Sequence, residues 1–546
     1  RREDVLTRPY GVFSAFDKAQ DPTTSNEQVP DPCVFIKAPI HLDAYEQCEH
    51  TLFMCMAMTK EDLLSRVAEL RSDNACHNII TKPPLVADTI EGRLATTILP
   101  QLIYKKRDCS LNLKSIEENT LSPRELWVLG ISGDLPIVLV EIDSTVEEEK
   151  MTSYLKCHSS LKLCGIVFDL VFSYNDRGEY ERPIHSFIMN HIKENLSEAL
   201  IGINGGIHLI DFTAYDDKIK ILLQAAAVHI APKSMMRINL PSIEYTPIEL
   251  SKMRRPEIDA GKDGDKRVTG GHFTDGGFFI TSSPPHPWCH VLANPSFGTL
   301  LSDSALGFTW AFNSRENKLT PWFNDLMTDN RGEMLIAKFG DKYYDLIAGS
   351  LPFFSPSKAV YEGYASDIYC RTTVNVVQVG CKKNIELELR NESDGEIELE
   401  LVFYTEPTLN SSRENSRQIS ATIDSDMLIM RNPFNSVIEG YMAIGSSEPL
   451  ASYTLDRTAF WSGKWEECIL SPSNEPCGAI VIKKTLAAGE DVTINFMMTF
   501  AKTAEAAVKI ARMPLSPMLL PEKTHQDKVQ NTITISTPDK LLDSMF

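Results

Sequence analysis

The sequence lacks any run of 18 or more uncharged apolar residues, so it offers no membrane-spanning helix. It holds 12 cysteines but no CxxC pair and no Cys/His spacing of a zinc site. Cys76-His77 and Cys157-His158 are adjacent pairs, and neighbours on a strand or helix point in different directions, so neither reads as two ligands of one metal. There is no GxGxxG, no nucleophile elbow and no HExxH, and neither a cofactor nor a metal is expected. Basic residues are in deficit: Lys+Arg 54 against Asp+Glu 74 gives a net charge of −20. That balance excludes a nucleic-acid footprint and a polybasic membrane patch. The opening Arg1-Arg2-Glu3-Asp4 has neither Met nor an apolar segment, so no secretory signal is read. The Asn-x-Ser matches at Asn195, Asn391 and Asn410 are therefore not read as glycosylation. Dispersed thiols and 18 methionines suit a reducing compartment, and a cytoplasmic location is the expectation.

What is present is enough apolar sequence for several cores: 546 residues, 43% hydrophobic and 23% charged. At roughly 150 residues per domain this suggests three or four domains. An internal repeat changes that count. The stretch from Asp31-Pro32-Cys33 to about Leu64 aligns without gaps onto Glu475-Pro476-Cys477 to about Val508. Each copy reads as strand, acidic turn, strand, then a short helix opened by a threonine, Thr59 or Thr503. Residues 1–75 are accordingly expected to be the C-terminal part of a truncated β-sandwich with a short helix. Residues 76–125 read as a helical connector and 126–250 as a small α/β domain with partly parallel strands: Leu135–Ile142, Gly165–Ser173 and Gly206–Phe212 alternate with helices Glu147–Leu163, Ile184–Leu196 and Asp216–Val228. A linker rich in Lys, Arg, Asp and Gly fills 251–270. Short strands between Gly, Pro, Asn and Asp turns over 271–515 imply a large antiparallel β-sandwich. Residues 516–546 read as a linker and the start of a further helix, capped by Thr537-Pro538-Asp539. The fold class is therefore multidomain α+β.

The densest chemistry runs from Pro287 to Asp325. Trp288, Trp310 and Trp322 fall within it, around Asn294-Pro295 and Asn313-Ser314-Arg315-Glu316-Asn317. Indole faces stack on the C–H faces of sugar rings, and Asn, Arg and Asp bond vicinal hydroxyls. The candidate substrate-binding residues are Trp310, Asn313, Arg315, Asn317, Trp322, Asn324 and Asp325. The same residues would equally fill a sandwich core and cap its turns. Asp303, Glu316, Asp325 and Asp329 supply carboxylates that glycoside chemistry could pair, but an acidic chain offers such pairs anyway. Gly130-Ile131-Ser132-Gly133-Asp134 is only a loose phosphate loop, preceding a strand instead of a helix.

Leu126-Trp127-Val128-Leu129-Gly130-Ile131-Ser132-Gly133-Asp134-Leu135-Pro136 resembles a signature of cyclic β-1,2-glucan synthetases and β-1,2-oligoglucan phosphorylases, glycoside hydrolase family 94 (formerly glycosyltransferase family 36). The Pro287–Asp325 run, Arg431-Asn432-Pro433-Phe434-Asn435 and Asp456-Arg457-Thr458 are similar to further motifs of that family, in its order, with Phe434 where tryptophan is more usual. The resemblance implies a supersandwich that packs beside an (α/α)6 barrel. It also implies inverting phosphorolysis or synthesis of β-linked glucan, with the general acid and the phosphate site in the barrel. The barrel is expected to begin where this sequence stops, so no catalytic residue is assigned. The expected partner is a β-glucan oligosaccharide, with inorganic phosphate only through the barrel, and a homodimer is compatible with subunit contacts of the sandwich. The expected function is that of a non-catalytic N-terminal portion that binds carbohydrate and shapes the cleft. The alternative is a free-standing carbohydrate-binding or scaffold protein.

Overall fold

The computed structural model describes residues 41–43, 47, 55–70, 89–104, 109–178, 180–233, 247–257, 267–268, 270–274, 276–284, 286–322, 332–515, 535–539 and 542–543. The chain divides into two compact units, Arg1–Gly92 and Arg93–Phe546. In the first, helix α1 (Lys60–Leu70) buries Leu63 and Val67, one turn apart on one face. Thr59 Oγ1 accepts from the Asp62 backbone N–H at 3.2 Å. In the stretch aligned with it by sequence, Thr503 Oγ1 accepts from the Ala506 N–H at 3.2 Å, heading helix Ala504–Arg512. Both helices thus open with a threonine cap. The strands expected over most of 31–54, and most of the helix expected after Thr537, lie outside the described residues.

Helix α2 (Ile90–Ile103) spans the boundary between units, and α3 (Cys109–Glu118) and a 3-10 helix, Pro123–Leu129, succeed it. Next, β1 (Ile137–Glu141), α4 (Glu148–Leu163), β2 (Asp169–Tyr174), α5 (Pro183–Glu194), β3 (Ile207–Asp211), α6 (Asp217–Ala226) and β4 (His229–Ile230) alternate. Asn112 on α3 donates to the carbonyls of Gln224 and Ala227, both at 3.1 Å, so the connector is docked on the end of α6. The sheet order is β3-β2-β1-β4 and each described pairing is parallel, where partly parallel strands were expected. Near-continuous burial along β1 and β2 is what a parallel sheet covered on both faces requires.

The remainder is built on sheets of eleven, six and three strands among the described residues. Strand Lys382–Asn391 shows why: Ile385, Leu387 and Leu389 are buried while Glu386, Glu388 and Arg390 alternate with them. It pairs with Asp491–Ala501, whose Ile494, Phe496, Met498 and Phe500 enter the same core. The six-stranded sheet faces that core through Leu399, Leu401 and Phe403. Its other face packs Tyr404, Val402 and Ile336 on Phe460 and Trp465. Helix Ala504–Arg512 covers Ile429, Ala443 and Met497 on the back of the larger sheet. The expected linker 251–270 is a linker only in part. Leu250–Lys252 pairs in parallel with Lys342–Asp345, and Arg267–Val268 pairs with Gly271–Thr274 at the edge of the larger sheet. Among the described residues no helix is long and apolar enough to cross a membrane.

Candidate functional site

Strand Phe308–Ala311 and the segment Asn317–Trp322 form an irregular hairpin. Ala311 N–H donates to the Asn317 carbonyl at 3.3 Å, Leu319 N–H donates to the Thr309 carbonyl at 2.9 Å, and Trp310 bridges Lys318. The turn begins at Phe312, whose φ of 63° lies in the left-handed region that non-glycine residues rarely occupy. Asn313 then accepts from the N–H groups of Arg315 (2.9 Å) and Glu316 (3.0 Å). Such a side-chain turn is the structural use of asparagine.

Along this hairpin the candidate residues part company. Trp322 remains 45% exposed and lies stacked on Phe308, with ring centroids 5.5 Å apart and planes 19° off parallel. Trp310 also contacts Phe308, at 5.2 Å, and crosses the bare backbone of Gly298, where an added Cβ would come within 2.3 Å of the indole. The Arg315 side chain is 87% exposed at the tip, 3.4 Å from Glu316. Asn317 is 0% exposed. Its amide donates to the Ala311 carbonyl (3.1 Å) and accepts from Asn435 (3.0 Å), so it holds the turn and does not reach a ligand. Asn324, Asp325 and Asp329 lie outside the described residues. Trp288 packs against Phe278 over Gly270 and fills the sandwich. Asp303 is buried and accepts from the Trp288 N–H at 2.9 Å, so this carboxylate is a backbone clamp.

The other motif asparagines do the same work. Asn294 accepts from the N–H groups of Ser296 and Phe297 and donates to the carbonyls of Val377 and Gly380. Asn435 accepts from Val437 and Ile438, and Asn432 from Phe434. Together these clamps set the loops 313–317, 410–411 and 432–437 against one another. Those loops face the 3-10 helix Pro123–Leu129 and the Ser132–Leu135 turn across a cleft of about 460 Å3. Trp127, at 66% exposure, and Arg417 line it. Burial pushes the Arg417 guanidinium down to about 10, against a smaller opposing pull from Glu414. Neither residue stood among the sequence candidates. Trp127 belongs to the Leu126–Pro136 motif, but nothing in the sequence brings Arg417 beside it, because the two meet only through tertiary packing. Among the described residues no group of three or more His, Cys, Asp or Glu side chains could hold a metal ion.

Residues 278–514 match the glycosyl hydrolase 94 supersandwich domain. A cyclic beta-(1,2)-glucan synthase, NdvB of Rhizobium meliloti (strain 1021), is 22% identical over 513 residues, covering 82% of this chain and 18% of the relative. The chain thus spans less than a fifth of the length of that curated relative. Among solved structures, a bacterial glucoamylase shares 10% identity over 48% of this chain and 40% of its own, with a TM-score of 0.31. A galactose mutarotase-like protein from Clostridium acetobutylicum shares 9% over 42% of this chain and 99% of its own, with a TM-score of 0.26. Likenesses at such scores carry no argument about function. Residues 278–514 are thus identified as a supersandwich domain of the glycosyl hydrolase 94 type.

Proposed function

We propose that this chain is the non-catalytic, carbohydrate-binding portion of a β-glucan-active glycoside phosphorylase or synthase. The half-exposed Trp322 indole, lying flat on Phe308 at one end of a clamped hairpin whose tip presents Arg315, carries this reading. A rigid apolar face and a nearby directional donor are what a pyranose ring needs. The glucan class comes from the synthase relative and the family of the supersandwich. Trp322 and Trp310 serve as stacking faces and Arg315 as the hydroxyl donor. Asn313 and Asn317 hold the turn that presents them; Asn324 and Asp325 remain candidates on sequence grounds alone.

Calorimetric titration with β-1,2-gluco-oligosaccharides, with cello-oligosaccharides as the control, tests this. Arg315→Ala is expected to weaken binding by about 1.5–3 kcal/mol, the range for a hydrogen bond to a charged group. Unchanged affinity in a folded variant removes Arg315 from the site. Incubation of the chain with β-1,2-glucan and phosphate is expected to release no sugar 1-phosphate, and robust release would overturn the non-catalytic assignment.

A further inference from the structure

The cleft between the 3-10 helix Pro123–Leu129 and the sandwich loops is built from both halves of the second unit. Its volume of about 460 Å3 falls within the roughly 300–1,000 Å3 of small-ligand sites. Trp127 forms one wall. Its Nε1 donates to the Ser132 carbonyl at 3.2 Å, which satisfies the only polar atom of the indole and fixes the ring while leaving it two-thirds exposed. A pinned aromatic with an open face loses little conformational freedom on binding. Val437, 59% exposed, adds apolar surface from the sandwich wall.

Polar groups converge from that same wall. Asn415 and Arg417 sit on the 3-10 helix Arg413–Gln418, which is held at several points. Asn432 Nδ2 donates to the Asn415 carbonyl at 3.1 Å, Arg413 pairs with Glu406 at 2.8 Å, and Gln418 donates across to the Ala225 carbonyl at 2.9 Å. The charges lining the cleft balance: Arg124 and Arg417 against Asp134 and Glu316. A fixed indole face, amide and guanidinium donors carried on a held helix, and zero net charge match a neutral polyhydroxy ring better than a phosphate or carboxylate.

We infer that this cleft is a second saccharide-binding site, distinct from the Trp322 surface. It takes a neutral glucan segment of one or two rings, with Trp127 stacking on a ring and Asn415 and Arg417 donating to hydroxyls. The choice of glucan as ligand rests on the function proposed above, whereas the location does not.

The test is calorimetric titration of the full chain with a β-1,2-gluco-oligosaccharide of about five units, comparing wild type with Trp127→Ala, Val437→Trp and Trp322→Ala. Trp127 and Val437 are exposed, so melting temperatures close to wild type are expected and verify folding. The expected result is two sites per chain. Trp127→Ala and the cleft-filling Val437→Trp each weaken one of them at least tenfold, and Trp322→Ala weakens the other. A single site removed by Trp322→Ala and indifferent to both cleft variants overturns the inference and leaves the proposed function standing. A single site lost only with the cleft variants keeps the inference and displaces the hairpin surface. No binding at all overturns both. Tighter cleft binding by glucose 1-phosphate than by neutral sugar would overturn the neutral-ligand assignment.

Discussion

Lys383 and Glu333 bring opposite charges into the sandwich core with no exposure to solvent. The ammonium lies 2.6 Å from one carboxylate oxygen and also donates to Thr299 Oγ1 and the Leu306 carbonyl. The second oxygen accepts from Thr309 and Thr320, both at 2.6 Å. Burial pulls the Lys383 pKa down, and Glu333 opposes that pull. Such a pair costs more to break than to omit. Lys383→Met should destabilise by about 3–5 kcal/mol in denaturant unfolding, because it strands a buried carboxylate. Adding Glu333→Gln should recover part of the loss, since an amide oxygen still accepts from the two threonines without a charge. His158 gives a pH-dependent counterpart. Its Nε2 meets the Phe168 carbonyl at 3.3 Å, which makes Nε2 the protonated nitrogen of the neutral ring and leaves Nδ1 buried without a partner. Desolvation holds its pKa below the ordinary 6.5. Between the lowered value and 6.5 the unfolded chain binds more protons, so this contribution is complete above about pH 6.5 and is lost as the pH falls below it. Thermal melts should show a falling midpoint on acidification in that window. His158→Leu should flatten the slope in part, because His290 is shifted in the same direction by burial and contributes with the same sign.

At the scale of elements, the hairpin depends on a glycine opposite a tryptophan. Gly298 pairs with Trp310 across adjacent strands, and the indole occupies the space where a side chain would project. Gly298→Ala should cost about 1–3 kcal/mol as an overpacking change. It should also shift tryptophan emission as Trp310 moves; unchanged emission and stability would show that the ring is not seated there. The strand and helix order of the α/β part was legible from periodicity, because each apolar run was long enough to show its period. Two elements were not. β4 is two residues long, His229–Ile230, and Leu250–Lys252 is a three-residue strand with little burial that exists because Lys342–Asp345 pairs with it. Tertiary pairing and not local pattern makes both. The site was legible to the same limited degree. The Asn-Ser-Arg-Glu-Asn string marked the loop, but an asparagine suits a hydroxyl ligand and a backbone turn alike. Only the folded hairpin shows Asn313 and Asn317 spent on the turn while the Arg315 side chain projects from its tip.

At the scale of the whole molecule, the α/β part and the sandwich are joined through the core and not by a tether alone. Phe434, carried on a sandwich loop, is buried in the same apolar cluster as Leu126, Leu129, Ile137 and Leu222 of the α/β part. Around it, Arg431 donates to the Asn119 carbonyl at 2.9 Å and Gln418 to the Ala225 carbonyl. The motif Arg431-Asn432-Pro433-Phe434-Asn435 therefore serves as a plug, with Asn432 and Asn435 turning the loop so that the ring points into its neighbour. A bulky aromatic ring suits this role because it reaches from the loop into the neighbouring cluster. The join also fixes the cleft, since the wall bearing Trp127 and the wall bearing Arg417 meet across this cluster. Phe434→Ala should remove about 3–5 kcal/mol of burial and cavity energy from the joint. If the two parts share one cooperative unit, calorimetric unfolding should change from one transition for this joint to two, the sandwich melting later. Protease should then cut first between residues 118 and 135, where the 3-10 helix loses its cover. A single transition shifted downward as a whole would mean that the remaining hydrogen bonds couple the parts without the plug. Phe434→Trp should restore the joint melting and with it the spacing of the two cleft walls.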